Sequence, residues 1–102
     1  MLSLIETKRA EVARLCRRHH VRRLDVFGSA VRGGFDPATS DLDFVVEFKP
    51  VQPTTLADAY FGLKDELESL FGRPVDLVTD RSIVNPYFRA SVDAHRQNVY
   101  AA

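Results

Sequence analysis

The stretch Phe27-Gly28-Ser29-Ala30-Val31-Arg32-Gly33-Gly34, followed by Ser40-Asp41-Leu42-Asp43-Phe44-Val45-Val46, sets the frame for the whole chain. An apolar run ends in Gly28-Ser29. Eleven residues lie between Ser29 and Asp41, and two aspartates then flank one leucine at the start of a second apolar run. Side chains alternate along a strand, so residues 41–48 put Leu42, Phe44, Val46 and Phe48 on one face and Asp41, Asp43, Val45 and Glu47 on the other. The first set reads as core, which turns both aspartates toward the opposite face.

That placement permits specific chemistry. At ~3.3 Å rise per residue, the Cα atoms of Asp41 and Asp43 stand roughly 7 Å apart. Two carboxylates that close repel unless a cation lies between them, and hard oxygen donors without His or Cys suit magnesium or manganese. Gly28 lets a triphosphate approach the backbone. Ser29, at a strand-to-helix turn, offers a hydroxyl beside backbone N–H groups. Arg32 follows one helical turn later, within reach of phosphate oxygens. Asp76, on a later strand, is expected to supply a third carboxylate as metal ligand and as base, directly or through the metal, for an attacking hydroxyl. The implied reaction is in-line displacement at the α-phosphorus of a nucleoside triphosphate. One metal would hold the triphosphate and a second would activate the incoming hydroxyl. An Asp-x-Asp or a Gly-Ser alone is a weak signal; the two together, at strand ends, are much stronger.

Outward from this stretch, the periodicity predicts a helix over 3–19, with Ser3 as its cap and Glu6 completing a capping box. Ile5, Val12, Leu15 and Cys16 form its apolar stripe, and His19-His20 ends it, both expected to be exposed. Val21–Phe27 reads as the first strand, 29–33 as a helical turn, Gly33-Gly34 as a break and Asp36-Pro37 as a turn. A helix is expected over 55–71, capped by Thr54 or Thr55, with Gly72 just past its end. Val75–Thr79 reads as a third strand. Pro86 starts a last helix, with Val84 just ahead of it and Phe88, Val92 and Val99 along one side, interrupted by His95. Tyr60, Phe88 and His95 read as core or partly buried positions. Tyr87 suits either a partner or a sheet edge. Arg73 and Arg81 suit either a nucleotide phosphate or solvent. The expected fold class is α+β: a small mixed sheet of about three strands, helices packed on one face, and Asp41, Asp43 and Asp76 on an open face. Residues 1–102 are expected to form a single domain.

Composition narrows the function classes. Hydrophobic residues make up 45% and charged residues 27% of the chain, as in a folded globular protein. No apolar run approaches the ~20 residues that span a bilayer, so no membrane partner is expected. An export signal is not expected either, and the single Cys16 suits a reducing, cytoplasmic compartment. Residues 1–23 carry seven Lys/Arg against two Glu, a net +5, and the remainder carries a net −5. Two readings fit this asymmetry: a solvated helix face, or a basic surface for nucleic acid or an acidic protein. Nucleic acid is not expected to be the direct partner.

Gly28-Ser29, Arg32-Gly33 and Ser40-Asp41-Leu42-Asp43 resemble the signature of the minimal nucleotidyltransferases of the DNA polymerase β-like superfamily. Val75-Asp76-Leu77-Val78 resembles the strand that carries that family's third acidic residue. The chain is similar to the antitoxins of HEPN/MNT toxin–antitoxin pairs. The resemblance implies a polymerase β-like palm, with Asp41, Asp43 and Asp76 as catalytic and metal-binding residues and Gly28, Ser29, Arg32 and Ser40 at the nucleotide. It also implies two Mg2+ ions (or Mn2+), ATP as substrate, and transfer of AMP to a tyrosine of a partner HEPN ribonuclease toxin in a hetero-oligomer. The Gly33-Gly34-Phe35-Asp36 loop departs from the pattern. Two alternatives stand beside this reading: an antitoxin that neutralises by binding alone, and a nucleotidyltransferase acting on RNA or a small molecule.

Overall fold

The computed structural model describes residues 2–32, Asp36 and 40–102; of Arg32 it places the backbone. The expected break at Gly33-Gly34 and Pro37 of the expected turn lie outside the described residues. The elements run α1 (Ser3–Glu6), α2 (Arg9–Arg18), β1 (Val21–Phe27), α3 (Ser29–Arg32), β2 (Leu42–Phe48), α4 (Pro53–Phe71), β3 (Val75–Thr79), a 3-10 turn (Asp80–Ser82), α5 (Pro86–His95) and β4 (Gln97–Ala101). The α+β class is as expected.

The sheet is mixed and four-stranded, in the order β3-β2-β1-β4. Strand β1 runs antiparallel to both β2 and β4, whereas β2 and β3 are parallel. A parallel pair needs a long crossover, and the 19-residue α4 provides it. Proline at its first turn is tolerated because that N–H has no intrahelical partner. Gly72 ends the helix at φ 63°, its N–H donating to the Glu68 carbonyl.

The alternation in β2 decides the layers. Leu42, Phe44 and Val46 join Leu24, Val26, Val75, Leu77 and Val99 on one face, where α1, α2 and α4 cover them with Ile5, Val12, Cys16, Leu63, Leu67 and Phe71. Cys16 lies wholly inside, and burial pushes its thiol up to about 12. Tyr60 closes the layer by donating its hydroxyl to the Leu77 carbonyl at 2.5 Å.

Several local expectations are corrected. The first helix is two helices, α1 and α2, and the N-cap of α1 is Leu2; Ser3 is its first helical residue, without a side-chain cap bond. Gln52, rather than a threonine, caps α4. His19 is half-buried and paired with Glu66, since α2 packs along α4 and brings the two together. His20 is exposed, with φ 61°. The last helix stops at His95, and Val99 belongs to β4. Val99 enters the core from an edge strand paired with β1, with its neighbour Tyr100 packed against it.

The second sheet face is not wholly open. Phe27 and Val45 lie on it beside the carboxylates, and with Ile83 and Val92 they form a second small core under α5, with Val78 against it. Three apolar residues on that face require a cover, and α5 provides it. Asn85 caps α5, its Oδ1 accepting from the N–H groups of Tyr87 and Phe88.

Candidate active site

Strand register assembles the site. Asp43 of β2 lies opposite Phe27 of antiparallel β1 and beside Asp76 of parallel β3. Neighbouring strands stand about 4.8 Å apart, so residues far apart in sequence become adjacent. Gly28 follows β1 at φ 72°, a left-handed conformation that disfavours any Cβ. A Cβ there would also collide with Oδ2 of Asp43. The left-handed backbone favours glycine here, and any added Cβ would displace the Asp43 carboxylate that rests against it.

Gly28, Asp43 and Asp76 line one pocket of about 160 Å³. Its other walls are Phe27 and, from α5, Phe88, Ser91, Val92 and His95. Phe88 packs edge-on to Phe27, with ring centroids 6.2 Å apart. It remains 43% exposed, as a wall rather than core. His95 is exposed at the pocket. Both had been expected among core positions, because one helix face was assumed to pack throughout; α5 instead tilts only Val92 fully into the sheet.

Of the other predicted site residues, Ser29 opens α3 directly after Gly28 and is half-buried, and Arg32 ends α3. Asp41 stands just ahead of β2, exposed, and does not line the pocket. The Ser40 hydroxyl accepts from the Asp36 N–H at 2.9 Å. Arg73 donates to the Ser40 carbonyl at 3.4 Å. Arg81 lies past the opposite end of β3, in the 3-10 turn.

The donors suit a hard cation: carboxylate oxygens, one half-buried and one exposed, face a pocket without thiolates. Among the described residues no group of three or more acidic, His or Cys side chains is gathered closely enough to hold a metal. Asp43 and Asp76 line the same pocket, and Asp41, two residues ahead of Asp43, is not among its lining residues.

One feature sequence reasoning missed lies behind the pocket. Asp25 of β1, fully buried, accepts from Arg96 at 2.6 Å, Arg23 at 3.1 Å and Asn98 at 2.9 Å. Arg96 also reaches Asp80 and Asp93, and Arg89 reaches Asp80. Burial pulls the Arg96 guanidinium down, but its bonds to Asp25, Asp93 and Asp80 outweigh burial and raise it. The Asp80 carboxyl is held below its ordinary value, first by Arg89 and then by Arg96. The network ties β1, β4 and the 3-10 turn to the end of α5, the helix that walls the pocket. Strand alternation puts Asp25 on the same face as Phe27 but gives no sign of its burial.

Comparison with known proteins decides the family. The nucleotidyltransferase domain model matches residues 10–99. This chain belongs to the nucleotidyltransferase domain family. A solved minimal nucleotidyltransferase superposes with a TM-score of 0.74 at 34% identity, covering 94% of this chain and 95% of that one. A Methanocaldococcus jannaschii protein, MJ1379, carries the provisional name protein adenylyltransferase and is 36% identical over 76 residues, 74% of each chain. A chain from the complex of a tri-AMPylated HEPN toxin with an MNT antitoxin of Shewanella oneidensis shares the fold. Its TM-score is 0.64 at 20% identity, covering 96% of this nucleotidyltransferase and 73% of that chain.

Proposed function

We propose that this chain transfers AMP from ATP to a tyrosine hydroxyl of a partner HEPN ribonuclease toxin and thereby neutralises it. The observation that carries this reading is the register of Asp43 beside Asp76, with the bare Cα of Gly28 against the Asp43 carboxylate. Support comes from relatives named for protein adenylylation and from a fold neighbour complexed with an AMPylated HEPN toxin. Another fold neighbour is a toxin–antitoxin complex with AMP-PNP, which supports ATP as the nucleotide.

In this reading Gly28, Ser29, Arg32 and Ser40 bind the nucleotide, with the Ser29 hydroxyl and Arg32 on its phosphates. Magnesium or manganese, held by Asp43 and Asp76 with Asp41 as a further donor, would neutralise charge on the triphosphate and on the departing pyrophosphate. Asp76 takes the proton of the acceptor hydroxyl as its oxygen bonds to the α-phosphorus. The bond from the α-phosphorus to the bridging oxygen breaks, and pyrophosphate leaves. Phe88 and the α5 wall limit water at the reacting phosphorus.

A second reading, neutralisation by binding alone, is favoured by one observation: among the described residues the third carboxylate is not gathered with the other two. Intact mass of a HEPN partner incubated with this chain, ATP and magnesium separates the readings. Adenylyl adducts that vanish with an Asp43→Asn/Asp76→Asn variant, together with loss of neutralisation, are expected. An unmodified partner that the variant neutralises equally well would overturn transfer in favour of binding.

A further inference from the structure

A second cavity lies at the other end of the sheet. From Asp43 to Phe48 the chain runs five residues, so this end stands about 17 Å from the carboxylate pair at ~3.3 Å per residue. Here β2 and β3 end side by side, with Val46 in register with Thr79. Their continuations part: β2 leads into α4 on the face with the larger core, and β3 leads through the 3-10 turn into α5 on the opposite face. Where the connections of adjacent parallel strands leave to opposite faces, a crevice is left outside their carboxyl ends, and ligands bind there in open sheets.

The crevice has a volume of about 390 Å³, in the range of small-ligand sites. Its apolar part includes Val46, Phe48, Val51 and Leu56. Its rim carries four charged residues of two kinds. Glu47 is paired with Arg22, and Asp80 with Arg89 and Arg96. Lys49 and Arg81 also line it, and neither side chain makes an ion pair or hydrogen bond among the described residues. Both acids are already neutralised, whereas both cations remain available over an apolar floor.

The geometry points to a second ligand site in this crevice, taking a small organic anion with an apolar body whose acidic group meets Lys49 and Arg81. The apolar part would sit against Val51 and Leu56, and the anion would neutralise two cations that no carboxylate among the described residues reaches. Nothing in the nucleotidyl-transfer chemistry uses these residues, so the site is separable from the carboxylate pair.

Titration of the full-length, isotopically labelled chain with anilinonaphthalene sulfonate, followed by two-dimensional amide NMR, tests the proposal. Saturable shifts are expected at Lys49, Val51, Leu56, Thr79 and Arg81, with Gly28, Asp43 and Asp76 unmoved. Phenylnaphthylamine, the uncharged counterpart, is expected to bind at least tenfold more weakly, and Lys49→Glu/Arg81→Glu to weaken the sulfonate at least tenfold while keeping a folded spectrum. Absence of saturable shifts, shifts confined to other surfaces, or equal binding of either the uncharged probe or the charge-reversed variant would each overturn it. If the double variant does not fold, Lys49→Gln alone, which leaves the core untouched, carries the same comparison.

Discussion

At Gly28 two independent constraints meet in one residue. The left-handed backbone costs a non-glycine residue roughly 1–2 kcal/mol, and the Asp43 carboxylate occupies the space of a Cβ. Gly28→Ala is therefore expected to lower stability by about 1–2 kcal/mol in urea unfolding and to cut nucleotidyl transfer at least tenfold, because Asp43 must move. Asp76 offers the contrasting case. It is exposed, so Asp76→Asn should leave the urea midpoint almost unchanged while reducing transfer by roughly 100-fold or more, the scale of a lost general base. A single-turnover assay alongside unfolding separates the two variants: one loses both properties, the other loses activity alone.

Among the elements, α5 is both a wall of the site and the outer layer of the second core. Few of its own residues hold it down: Val92 is its one fully buried side chain. Much of its anchoring therefore falls to Arg89, which holds Asp80 and the Ile83 carbonyl, and to Arg96, which joins its C-terminal end to buried Asp25. Removing one partner of a buried ion pair leaves an uncompensated charge. Arg96→Ala is expected to cost about 3 kcal/mol in urea unfolding, moderated by Arg23 and Asn98, which remain on Asp25. Transfer should fall with it, since α5 then loses its fixed distance from Asp43. The same network makes a pH prediction. The folded Asp80 carboxyl lies below its ordinary value of 3.8 because Arg89 and Arg96 favour its charged form. A depressed carboxylate contributes stability that is full above the unfolded value and lost as pH falls through the folded one. The urea midpoint of Asp80→Asn should thus lie below that of the parent at neutral pH, and the gap should close as pH falls below 3.8. A gap that widens in acid would contradict the assignment.

Considered as a whole molecule, the chain is a thin palm with a lopsided charge that its own fold partly offsets. Arg18 reaches Glu66 and Arg22 reaches Glu47, so part of the basic N-terminal segment is paired with the acidic body. This favours the solvated-face reading of the charge run over a free basic surface. Val84, Tyr87 and Phe88 remain exposed around the start of α5.

Much of this architecture was legible in the sequence because its causes are local. The alternation of Leu42, Phe44, Val46 and Phe48 fixed which way Asp43 faces, and Gly72 with Pro74 marked the end of α4. What escaped was set by distant partners. Val99 lies seven residues after Val92, which fits a helix face as well as it fits an edge strand; pairing with β1 decided it. Asp25 gave no sign of burial, because its ligands Arg96 and Asn98 come from the far end of the chain. The carboxylate set was readable as residues, and Asp43 beside Asp76 follows from parallel register. The position of Asp41 outside the pocket was not readable, since it depends on how the loop before β2 meets Pro74 and Arg73.

The central claim is that the Gly28–Asp43–Asp76 pocket directs attack at the α-phosphorus of ATP. Incubation of the chain and a HEPN partner with ATP labelled at either the α- or the γ-phosphorus tests it most directly. The account predicts that α-label becomes covalently attached to the partner, that γ-label appears only in pyrophosphate, and that Asp43→Asn abolishes both. Attachment of γ-label, or α-label attachment undiminished in Asp43→Asn, would contradict it.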